Sequence, residues 1–169
     1  PLHFESAKDG INVEVALQYT DTYSENIISF VNNVKTPDGG THEVGFKFAV
    51  TRAFNEHARM IGALKEKDPN LEGSLIRHGL TAVISIRVPE NLLQFESQTK
   101  NKLGTPEAKA AVEQVVYEQF KSFLAENGQI SNTLISGIIR EAKAQEEARK
   151  KLDETRQVTK KLAKPANLI

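Results

Sequence analysis

Apolar and polar residues alternate with period two through the first half of the chain, and helical spacing takes over later. Leu2-His3-Phe4-Glu5 is a short alternating piece, and the Asp9-Gly10 that follows it signals a hairpin turn. Val13, Val15, Leu17 and Tyr19 then alternate with Glu14, Ala16, Gln18 and Thr20, the pattern of a strand with one face on a core. A third strand is predicted over residues 26–31, ending at Asn32-Asn33. The fourth, over 80–88, sets Leu80, Ala82, Ile84, Ile86 and Val88 on one face and Thr81, Val83, Ser85 and Arg87 on the other, and Pro89 ends it.

Caps and period predict three helices. Gly39-Gly40 breaks the chain, and Thr41 is placed to cap a helix running to about Ile61, with Glu43 in its first turn. Val50, Phe54, Ala58 and Ile61 form its apolar stripe. A second helix opens at Thr105-Pro106-Glu107, a capping hydroxyl, a first-turn proline and an acid beside the positive helix end. Val112, Val115, Val116, Phe120, Phe123 and Leu124 are its apolar face, and Asn127-Gly128 stops it. The third runs from about Ser131 to Lys161; its apolar face (Leu134, Ile138, Ala142, Ala148, Leu152) thins, so its second half should project from the body. Residues 62–73 form a charged connector. The whole is an α+β arrangement, a mixed sheet covered by helices.

At 169 residues the chain is long enough for one domain with a real core. With no cysteine it has neither a disulfide scaffold nor a thiol nucleophile, which fits a reducing compartment. It lacks an apolar run of membrane-spanning length, and Pro1-Leu2-His3-Phe4 does not resemble a signal peptide. The start without Met fits either a piece of a longer protein or removal of the Met by processing. Lys and Arg number 22, as do Asp and Glu, but their distribution is uneven. From Arg140 to Lys164 there are nine basic and five acidic residues, against 13 and 17 elsewhere. Such a basic tail could meet a polyanion, or it could be a solvated helix laced with ion pairs.

His3, His42, His57 and His78 show no metal-ligand spacing and read as surface or capping histidines. The sequence has no nucleophile elbow, no Walker A loop and no dinucleotide fingerprint, which argues against a complete enzyme. The segment 95–104 is the most informative. Gln98 offers an amide, Thr99 a hydroxyl, and Lys100 and Lys102 offer ammonium groups that could grip phosphate oxygens. The other reading is a polar loop with lysines in water.

Several ordered motifs carry a resemblance: Asn32-Asn33, Gly39-Gly40-Thr41-His42-Glu43, Gly45-Phe46-Lys47, Gly79-Leu80-Thr81-Ala82-Val83 and Gln98-Thr99-Lys100-Asn101-Lys102-Leu103. Together they resemble the transducer domain of the ATPase subunit of bacterial type IIA DNA topoisomerases. Residues 89–95 (Pro-Glu-Asn-Leu-Leu-Gln-Phe) lean towards the topoisomerase IV B subunit rather than the gyrase B subunit. The resemblance implies a ribosomal-protein-like β-α-β domain with a mixed four-stranded sheet, covering helices, a left-handed crossover and a long C-terminal helix. Residues 1–128 would be the transducer core, and 129–169 a long helix and tail leading to a DNA-cleaving region.

The resemblance also implies roles. Lys100 maps onto the family's switch lysine, which touches the γ-phosphate of ATP and stabilises transition-state charge, and Gln98 onto its neighbouring nucleotide-binding glutamine. ATP and Mg would be bound mainly by an adjacent ATPase domain, whose motifs are not among these residues. The fragment alone should therefore be inactive. Implied partners are double-stranded DNA, the DNA-cleaving A subunit and a second copy of the B subunit, in a bacterial cytoplasm at the nucleoid, with no membrane. Ser97 and His78 depart from common family residues, and the stretch 141–147 is more acidic than usual. A non-enzymatic nucleic-acid-binding or interaction module using the basic C-terminal helix is the alternative reading.

Overall fold

The computed structural model describes residues 1–22, 24–96 and 98–163, so Ser97 and Lys164 lie outside the described residues. β1 (Leu2–Lys8) and β2 (Ile11–Tyr19) form an antiparallel hairpin. Asp9 and Gly10 both have positive φ, 53° and 79°, as a two-residue turn matched to strand twist requires. β3 (Asn26–Val31) folds back at Asn32 and Asn33, also at positive φ, onto the two-residue β4 (Val34–Lys35). α1 (Thr41–Met60) then leads through a connector and the short α2 (Gly73–Ile76) to β5 (Leu80–Arg87). A 3-10 turn (Glu90–Leu92) precedes α3 (Pro106–Glu126) and α4 (Gly128–Ala163).

The sheet is mixed and five-stranded, in the order β1-β2-β5-β3-β4, with β5 parallel to β3 and antiparallel to β2. The expectation of four strands is thus corrected: Asn32-Asn33 ends β3 but also turns it into β4. The side chain of Asn32 ties this corner to the strand end, donating to Val88 O and accepting from Val88 N–H.

Register places Val13, Val15 and Leu17 beside Ile86, Ile84 and Ala82, so one sheet face is continuous and apolar. Phe46, Val50 and Phe54 of α1 and Val112, Val116 and Phe120 of α3 cover it, all essentially inaccessible. Each such aliphatic or aromatic side chain contributes roughly 1.5–3 kcal/mol through burial. Phe54 packs against Phe120 with the rings tilted by 45° and their centres 5.2 Å apart, and makes an edge contact with Tyr19 at 6.1 Å. At Gly45 the two helices meet main chain to main chain: a Cβ there would lie 2.5 Å from Lys109 O. Ile61, expected on the α1 stripe, instead sits past the helix end and is 42% exposed.

Neither expected threonine cap forms. Gly40 is the N-cap residue of α1, and the Thr41 hydroxyl donates to Thr105 O at 2.6 Å. Thr105 occupies the N-cap position of α3, but its hydroxyl donates to Leu92 O and accepts from Gln94 N–H. The connector is held by Arg59, which donates to Lys65 O, Asp68 O and Asn70 Oδ1.

After Asn127 alone, α4 begins three residues earlier than the periodicity suggested. Its first half docks through Ile135 and Ile138, and a buried Ser131 donates to Leu124 O. From residue 143 onward the described side chains are exposed, Leu152 by 52%, so the second half does project. Among the described residues no helix is long and apolar enough to cross a membrane.

Candidate functional site

The loop between the 3-10 turn and α3 carries Gln98 and Lys100 on an exposed stretch. Lys100 has φ 60°, the left-handed region that costs a non-glycine residue roughly 1–2 kcal/mol. No described residue hydrogen-bonds or ion-pairs with its ammonium group. Lys102, two residues on, differs: its Nζ lies 3.1 Å from Glu96 Oε2. The structure therefore brings Gln98 and Lys100 into one exposed loop and engages Lys102 within that loop.

The residues after Lys100 are held on two sides. Asp38 N–H donates to Asn101 O at 3.0 Å, Leu103 N–H to Gly39 O at 3.0 Å, and Thr41 N–H to Leu103 O at 3.1 Å. On the other side Glu96 N–H donates to Lys102 O and Gly104 N–H to Gln94 O. Leu103 is fully buried and bridges Gly40 in parallel and Phe95 in antiparallel sense. Gly40 is required at this crossing. Its φ is 138°, and a Cβ would stand 2.4 Å from Leu103 O and 2.5 Å from Leu103 N.

Under that crossing lies a polar cluster absent from the sequence reading. His42, expected as a surface or capping residue, is wholly buried in the first turn of α1, and burial lowers its pKa to about 4. Its Nε2 is 3.0 Å from Thr36 Oγ1, which is 2.7 Å from Ser29 Oγ, which in turn donates to Glu43 Oε2 at 2.5 Å. The glycine pair ahead of Thr41-His42-Glu43 was the available signal, since paired glycines mark close backbone approach. His57 is also buried, its pKa lowered by desolvation, and its Nε2 lies 3.4 Å from Ser131 Oγ. His78 is half-buried and pairs with Glu141 on α4 at 2.7 Å. Only His3, exposed and 2.9 Å from Glu14, fits the surface expectation.

The basic residues Arg149, Lys150, Lys151, Arg156, Lys160 and Lys161 are all exposed on the projecting part of α4, Lys150 within 3.8 Å of Glu146. Among the described residues no three His, Asp or Glu side chains are grouped to hold a metal ion. A groove lined by Leu64, Leu71, Leu75, Ile139 and Ala142 separates the connector from α4, and no residue of the Lys100 loop lines it.

The same outline recurs among known proteins. A profile of the DNA gyrase B family matches residues 1–154. The B subunit of DNA topoisomerase 4 from Enterococcus faecalis is 61% identical over 145 residues, covering 86% of this chain and 21% of that protein. Its counterpart in Bacillus subtilis is 54% identical over 165 residues, covering 98% of this chain and 25% of that protein. The chain thus spans about a fifth to a quarter of the length of these relatives. Among solved structures, the 43K ATPase domain of Thermus thermophilus gyrase B, in complex with an aminocoumarin, superposes with a TM-score of 0.82 at 38% identity. That match covers 90% of this chain and 40% of the other.

Proposed function

This chain belongs to the DNA gyrase B family, and from that premise we propose that it is the transducer segment of a type IIA topoisomerase B subunit. In this reading residues 1–128 are the transducer core, and the helix and tail of 129–169 lead to a DNA-cleaving region. The segment couples ATP binding and hydrolysis in an adjacent nucleotide-binding region to passage of one duplex through another. The parent protein is an ATP-hydrolysing isomerase of the bacterial cytoplasm, acting on double-stranded DNA as a dimer of B subunits together with the DNA-cleaving A subunit. In this reading Mg and most contacts to ATP belong to the adjacent region, as in the family the chain belongs to.

One observation carries the reading: a lysine without an ion-pair partner among the described residues, in left-handed conformation, on a loop whose following residues are fixed on both flanks. Lys100 is then a cation presented by one body to a triphosphate held by another. The pull of a positioned ammonium group strengthens as charge develops on the transferring phosphoryl oxygens, the more so where closure of the two bodies would exclude water from around it. When the terminal phosphate leaves, the contact that favoured the closed arrangement is lost, and the two bodies can rotate apart. Gln98, on the same loop, supplies an amide for a further phosphate contact.

The test is Lys100→Ala in the intact protein. Removing one such charge-stabilising donor lowers ATP turnover by about 100-fold, while equilibrium nucleotide binding changes only a few-fold. Turnover at the wild-type rate would defeat the proposal.

A further inference from the structure

The side chains beneath the Lys100 loop form a hydrogen-bond series with a single direction. Ser29 Oγ commits its proton to Glu43 Oε2, so towards Thr36 it can only accept. The Thr36 proton is then directed at Ser29, and Thr36 Oγ1 accepts from His42 Nε2. Burial keeps His42 neutral, with one ring proton, and the series assigns that proton to Nε2. Nδ1 is left as a bare lone pair, the one buried side-chain polar atom without a hydrogen-bond partner among the described residues.

Ser29, Thr36 and His42 are each at most 2% exposed. Apolar residues would fill such a space at less desolvation cost, but a directed series of hydrogen bonds from His42 Nε2 to Glu43 admits one geometry where apolar packing admits several. The Glu43 carboxyl is packed so close under the turn that a Cβ on Gly39 would stand 2.9 Å from Oε2. The turn above it makes all three backbone hydrogen bonds that hold residues 101–103 from that side.

We propose that the His42–Thr36–Ser29–Glu43 series is a positioning element for Lys100: it fixes the 36–41 turn, and the turn fixes the loop that presents the ammonium group. These four are positioning residues, since none of them reaches the loop tip. The inference rests on the reading of Lys100 as the phosphate-contacting group, and its test separates the two.

The experiment uses the intact protein and two variants. Thr36→Val keeps shape and removes the hydroxyl, and Thr36→Ser keeps the hydroxyl. Hydrogen exchange is read on a peptide spanning 98–104, and steady-state turnover is read with ATP. Thr36→Val is expected to accelerate exchange at the Leu103 amide about 10-fold and to lower kcat about 10-fold, with KM for ATP within about twofold. Thr36→Ser is expected to behave as wild type in both. In a Lys100→Ala background, Thr36→Val should lower turnover no further, because residues acting as one unit are not additive. Unchanged exchange in Thr36→Val overturns the proposal, as does a full additional loss on top of Lys100→Ala. Accelerated exchange in Thr36→Val together with wild-type turnover in Lys100→Ala leaves the positioning role standing and removes the nucleotide reading instead.

Discussion

Adding one methyl group at Gly40 tests the crossing on which the site depends. At φ 138° and ψ −163° this residue occupies a region open essentially to glycine alone, so alanine there costs about 1–3 kcal/mol in backbone strain. Its Cβ would also meet the O, N and Cα of Leu103 at 2.4, 2.5 and 2.8 Å. Backbone atoms cannot swing aside as a flexible side chain does, and forced overpacking adds about 1–3 kcal/mol. Together they come to about 4 kcal/mol, which for a chain of this size lowers the thermal midpoint by about 12 °C. Far-UV circular dichroism melts of wild type and Gly40→Ala measure it directly. Gly137→Ala is the internal control. That glycine lies within α4 with no atom inside 4 Å of an added Cβ, so its replacement should gain about 0.5–1 kcal/mol. A Gly40→Ala midpoint within about 2 °C of wild type would refute the reasoning, since it would mean that the crossing yields without strain.

Two further outcomes are expected. The folded pKa of His42, about 4, lies below the ~6.5 of a free imidazole, so between these values the unfolded chain binds more protons and stability rises with pH. That contribution is fully present above ~6.5 and is lost as pH falls towards 4, about 3 kcal/mol in all. Urea unfolding should show wild type losing that much more than His42→Gln over the window, and equal losses would exclude it. Ile135→Ala, at a fully buried site, should cost about 2–4 kcal/mol, and Leu152→Ala, 52% exposed on the same helix, less than about 0.5. Equal denaturation midpoints for the two would show that α4 packs along its whole length.

The strands were legible where alternation ran long enough to define a face, as in Val13, Val15 and Leu17 against Ile86, Ile84 and Ala82. β4 was not, because Val34-Lys35 is too short to show a period, although the Asn-Asn turn ahead of it was visible. Thr41 and Thr105 looked like caps because a hydroxyl ahead of a helical run normally has no better partner. Here each finds one elsewhere, Thr41 on a carbonyl 64 residues away. On α4 the apolar spacing runs through Leu134, whereas Ile135 is the residue that is fully buried. For the site, the loop and its two lysines could be picked out from residue type and flanking punctuation. The cluster at His42 could not, because it exists only where residues 29–43 fold on themselves beneath a segment near residue 103. Apart from the glycine pair ahead of it, which marks a close backbone approach, nothing local distinguishes a buried histidine in a first helical turn from an exposed one.

The contact at Gly45 has a mechanical consequence. Two helices separated by side chains can slide by repacking rotamers, but where carbonyl meets α-carbon there is no such slack. α1 starts where the Gly40 crossing ends and α3 starts just after Thr105, whose carbonyl accepts from the Thr41 hydroxyl, so both ends nearest the Lys100 loop are tied to each other as well as to it. A tug on that loop would therefore turn the helical layer as one stiff plate, and any bending must be absorbed elsewhere in the molecule.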